Sequence, residues 1–79
     1  MEATRQAMLS EYISGLYNRG MSYRKCGMYI MHVASFLEQA DTINRRGYLK
    51  YRKSHIADVG WQHISIMSES ICDFLATFG

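Results

Sequence analysis

Ser22-Tyr23-Arg24-Lys25-Cys26-Gly27-Met28-Tyr29-Ile30-Met31-His32-Val33-Ala34-Ser35-Phe36-Leu37-Glu38-Gln39-Ala40 is the stretch that decides the fold. Cys26, Tyr29, Ile30, Val33, Phe36, Leu37 and Ala40 recur at the period of an α-helix and form one apolar stripe. Ser22 stands where a hydroxyl can accept from a free amide of the first turn. The spacing predicts a helix over about residues 23–39 with one face buried. Upstream, Met8, Leu9, Tyr12, Ile13 and Leu16 repeat at the same period, with Thr4 as a cap and Asn18-Arg19-Gly20 as a stop. That gives a helix over about 4–19, and Gly20-Met21 leaves room only for a tight corner.

Downstream, Asn44 or Thr42 caps a third segment over 45–56, where Tyr48, Leu49 and Ile56 make a ragged apolar face broken by Arg52 and preceded by Gly47. Its other side sets Arg46, Lys50 and Lys53 in a row. After Val59-Gly60, the positions Ile64, Met67, Ile71, Phe74, Leu75 and Phe78 predict a fourth helix over about 63–78. Its periodicity is still strong at Phe78-Gly79, the pattern of a piece of a longer chain. No alternating β-branched run and no Asn-Gly or Asp-Gly hairpin occurs. The expected fold is all-α, a single domain over 1–79 with four helices in a compact orthogonal or bundle-like array.

Composition narrows the function classes. With 79 residues, 48% of them apolar and no proline, the chain is globular, but a core this small leaves little to spare for a deep pocket. That argues against a self-contained enzyme. There is no run of apolar residues long enough to span a bilayer and no cleavable leader, so a cytosolic protein is expected. Cys26 and Cys72 lack metal or redox spacing and read as reduced core thiols, and His32, His55 and His63 read as packed or surface histidines. The carboxylates are scattered, and no glycine-rich loop follows a strand, so no catalytic residue, metal or cofactor is expected.

The charge is uneven. Residues 19–53 hold eight basic groups against Glu38 and Asp41, while both flanks are net acidic, which implies one positive face that attracts phosphate. Opposite the buried stripe, the second helix sets Arg24, Gly27, Met28, Met31 and Ser35, with Lys25 on the flank. A first turn with free amides, a hydroxyl cap and cations suits a DNA backbone, and small or apolar side chains follow for base edges. The same Met28 and Met31 would equally serve a protein partner. Tyr48 and Tyr51 read as packed beside the core, and Trp61 as an anchor for the connection before the fourth helix.

The pattern Leu9-x-x-Tyr12-x-x-x-Leu16-x-x-Arg19-Gly20, followed by Ser22 and by Tyr29-x-x-x-Val33-x-x-Phe36-Leu37, resembles the N-terminal core-binding (SAM-like) domain of tyrosine recombinases, the phage integrase family. Residues 44–52 look like its third helix, and Met67, Ile71, Phe74 and Phe78 like the apolar positions of its last. The resemblance implies a helical half-clamp on duplex DNA at an attachment half-site. On it, Ser22, Arg24, Lys25, Gly27, Met28 and Met31 of the second helix face DNA, with His63, Ser65, Ile66 and Ser70 of the fourth. It also implies a separate C-terminal catalytic domain in the same protein, and contacts with further protomers of a recombinase assembly. Glu69, Asp73 and Ile66 depart from the family's pattern, as does a longer connection over 57–62.

Overall fold

Four helices follow one another in a computed structural model that describes residues 3–57 and 60–78: α1 (Ala3–Asn18), α2 (Tyr23–Gln39), α3 (Arg45–His55) and α4 (Trp61–Phe78). No strand occurs among the described residues, and the fold is an all-α four-helix bundle. The anchor reading for Trp61 rests on a side chain outside the described residues, as do the charge of Asp58 and the turn at Val59.

α2 is the central element and packs against each of the other three, most extensively against α4 and then α1. Its stripe is buried as the period predicts: Cys26, Tyr29, Val33, Phe36, Leu37 and Ala40 are core residues, and Ile30 packs against them. His32 joins the buried face. From α1 come Tyr12 and Leu16, and from α4 Ile64, Met67, Ile71 and Phe74. The rings interlock edge to face, Tyr12 on Phe74 at 5.3 Å and Phe36 on Tyr51 at 5.6 Å, the arrangement the ring quadrupoles favour.

The helix ends have identifiable causes. Gly20, at φ +73°, takes the left-handed conformation that closes α1 and opens the corner to α2. The Ser22 hydroxyl accepts from the Lys25 amide at 3.3 Å. α2 has no basic residue in its last turn, and Arg5 of α1 supplies one from across the bundle. Its guanidinium donates to the carbonyls of Leu37 at 2.8 Å, Ala40 at 2.6 Å and Asp41 at 3.1 Å. Asn44 caps α3 by accepting from the Gly47 amide at 2.8 Å, and Thr42 in turn donates to the Asn44 side chain.

Four sequence expectations need correction. Thr4 lies inside α1, which begins at Ala3, so it is not a cap. α4 begins at Trp61, where the Gly60 carbonyl accepts from the amides of His63 and Ile64, so the preceding connection is shorter than residues 57–62. In α3 the core-facing residues are Gly47, Tyr48 and Tyr51, whereas Leu49 and Ile56 are exposed. The face turns that way because the tyrosines carry hydroxyls with partners: Tyr48 donates to Ser68 at 2.6 Å and Tyr51 pairs with Ser35 at 2.8 Å. Cys72 is exposed, and only Cys26 is a core thiol.

Candidate nucleic-acid interface

The outer face of α2 is formed as its periodicity requires. Arg24, Lys25 and Gly27 are exposed, Met31 is 55% exposed, and Met28 is half-buried. Open space lies beyond the Gly27 Cα, so the backbone there is accessible to a close approach. Arg24 has no carboxylate partner among the described residues. Lys25 leans back over the Tyr29 ring at 5.7 Å. Ser35, expected on this face, is instead turned toward α3 by its hydrogen bond to Tyr51.

The cations that the sequence assigned to one positive face are spread along the length of α2. Two of them are paired with carboxylates of the chain itself. Arg19 makes a two-point contact with Asp73 of α4, at 3.1 and 2.7 Å, and Tyr12 donates to the same carboxylate at 2.5 Å. The Arg19 guanidinium holds the Asp73 carboxyl below the usual range, with the Tyr12 hydroxyl assisting. Burial and that carboxylate push the Tyr12 hydroxyl up. Burial, with Glu69 nearby, pushes Tyr29 up to about 12. Lys50 is bound to Asp41, and this exposed pair holds the start of the inter-helix loop to α3.

The remaining exposed cations form two groups. Arg24 and Lys25 sit in the first turn of α2, while Arg45, Arg46 and Lys53 are on α3. α3 lies beside the other end of α2, because its Tyr51 meets Ser35 and its His55 meets Gln39 at 2.7 Å. From Arg24 to the end of α2 is about 22 Å along the axis, at ~1.5 Å per residue. α4 runs antiparallel to α2: His63 lies by His32, Glu69 by Tyr29, and Asp73 by Arg19 at the α1–α2 corner. The α4 positions His63 and Ser65 are therefore exposed near the end of α2 away from Ser22, Arg24 and Lys25.

Two of the α4 candidates are not surface groups. Ser70 is fully buried and its hydroxyl donates to the Met67 carbonyl at 3.0 Å, one turn back. Ile66 is partly buried against the core. The resemblance set Ser70 toward DNA, whereas its spacing from Met67 and Phe74 puts it on the buried stripe, and its bond to the helix backbone removes the objection to burying a hydroxyl.

Arg45 and Arg52, which the sequence shows clustered beside the Arg46, Lys50 and Lys53 row, were not among the expected contact residues. Both line an open cleft of about 660 Å³ between α3 and α4, together with Asn44, Tyr48, Leu49, Ser68, Cys72, Leu75 and Ala76. Their separation of seven residues, with Tyr48 and Leu49 between, places all four on one side of α3. Taken as a face in its own right, that spacing was visible in the sequence. No group of three metal-ligating side chains occurs among the described residues, and no helix is long and apolar enough to cross a membrane. No family model, curated protein or solved structure matches the chain.

Proposed function

We propose that the chain is a duplex-DNA-binding helical module, the core-binding half-clamp of a tyrosine recombinase whose cutting and rejoining chemistry resides in a separate C-terminal domain. The observation that carries this reading is the outer face of α2, where two exposed cations in the first turn are followed by an open glycine and an exposed methionine. Arg24 and Lys25 contact backbone phosphates beside the Ser22-capped helix start, and Gly27 and Met31 lie next in line for base edges. His63 and Ser65 of α4, with Arg46 and Lys53 of α3, extend the contact toward the other end of α2. Lys50 contributes less, being paired with Asp41.

Fluorescence anisotropy with a short duplex at several salt concentrations tests this. If about four phosphates are neutralised, log affinity falls against log salt with a slope near −3.6. Replacing Arg24 and Lys25 together by Ala reduces that slope by about 2. Unchanged affinity and slope in the double variant would remove α2 from the interface. A second reading, docking of a protein partner on this face, is favoured by the exposure of Met31 beside the half-buried Met28. It predicts a ligand whose binding barely responds to salt and is lost in Met31→Ala.

A further inference from the structure

We propose that the cleft between α3 and α4 docks an acidic helical segment of a protein partner, presenting two carboxylates two turns apart with apolar residues between them. The chemistry of the cleft sets each part of that description. Arg45 and Arg52 stand at its two ends on α3, about 10 Å apart along the helix axis at ~1.5 Å per residue. No aspartate or glutamate lines it, so both guanidiniums face a space without a counter-charge. The Nε of Arg52 is buried and has no hydrogen-bond partner among the described residues, which leaves the outer guanidinium N–H groups to meet a carboxylate in the cleft.

Between the arginines the lining is mostly apolar, with Ser68 taken up by the Tyr48 hydroxyl. Leu49 is 51% exposed on α3, and Leu75 and Ala76 face it from α4. A helix with acids at positions i and i+7 and leucines at i+3 and i+4 matches this arrangement, acids to arginines and leucines to the floor. A nucleic-acid backbone fits it less well. It would need cations along both walls, and α4 supplies none. The cleft contains no residue of α2, so it shares no side chain with the α2 face assigned to DNA and does not depend on that assignment.

Cys72 supplies the readout, since it lines the cleft and is exposed while Cys26 is buried. The full chain would be alkylated with N-ethylmaleimide in the presence of a synthetic helix of about 14 residues carrying the Glu and Leu pattern. A second peptide would have Lys in place of both Glu residues. The acidic peptide slows Cys72 alkylation about fivefold or more, and the protection disappears at about 0.5 M salt, where charges are screened within a few ångströms. Arg45→Glu abolishes the protection. Arg45 is exposed at the first position of α3, where an acid favours the helix, so a melt of this variant near that of the parent separates lost docking from lost folding. Equal protection by both peptides, or by neither, overturns the proposal. Protection by a short duplex DNA and not by the acidic peptide also overturns it and assigns the cleft to phosphate.

Discussion

α2 and α3 carry most of the exposed cations, yet they are held to the molecule in opposite ways. α2 buries six side chains, among them Val33, Phe36 and Leu37, and touches every other helix. α3 buries only Gly47, Tyr48 and Tyr51, and its remaining attachments are polar: Tyr48 to Ser68, Tyr51 to Ser35, His55 to Gln39, and Lys50 to Asp41. Burial of aliphatic surface is worth more than an exposed hydrogen bond or ion pair, because water competes for the polar groups and not for the apolar ones. The α1–α2–α4 core should thus set the global stability, and α3 should open first.

The largest effect is expected where the two regions meet. The Phe36 ring is fully buried and lies edge-on to both Tyr48 and Tyr51. Phe36→Ala should cost roughly 3–5 kcal/mol, most of the stability of so small a domain. A cooperative melt at the parent temperature would show that this stripe does not hold the fold. Gly47→Ala comes next. A Cβ there overlaps the Thr42 carbonyl oxygen, so the 41–44 loop must shift, at about 1–3 kcal/mol. Hydrogen exchange should accelerate in α3 while α2 stays protected, and equal acceleration in both helices would deny that α3 opens separately.

Hydroxyl deletions sharpen the contrast. Tyr12→Phe leaves Asp73 with Arg19 and should cost about 1 kcal/mol in global stability. Tyr51→Phe leaves Ser35 with Gln39, and its loss should appear mainly as faster exchange in α3, with little change in the global melt. pH acts on the core region. His32 is buried and its pKa is lowered, first by burial and then by His63. The unfolded chain therefore binds a proton more readily, so the stability from neutral His32 is full above the ordinary histidine pKa of about 6.5 and is lost as pH falls below it. Thermal melts at descending pH should show this decline, and His32→Leu should flatten it. The smallest effect is expected for Lys50→Ala, which removes an exposed pair and should leave the melt unchanged at moderate salt.

The same contrast explains what was legible in the sequence. The stripes of α1, α2 and α4 were readable because each is an aliphatic and aromatic period, and the Ser22 and Asn44 caps and the Gly20 stop fell where local chemistry puts them. α3 was misread because its buried face is built from Tyr48 and Tyr51, whose orientation depends on hydroxyl partners on two other helices, whereas the more apolar Leu49 and Ile56 stayed outside. At the candidate interface, helical geometry alone predicted the exposure of Arg24, Lys25, Gly27 and Met31 but not the turn of Ser35 toward Tyr51. Which cations remained available was not legible, because pairing Arg19 with Asp73 and Lys50 with Asp41 requires knowing how distant segments meet.

Arg5 has one more consequence, for the alignment of α1 along α2. An apolar stripe tolerates sliding, since one turn of leucines and methionines resembles the next. The guanidinium does not, because it must meet three carbonyls at the end of α2. A slip of α1 by one turn would carry it about 5 Å away and leave those acceptors bare. With the Gly20 corner fixing the other end of the hairpin, Arg5 works as a register gauge, admitting one setting of the two helices and penalising its neighbours.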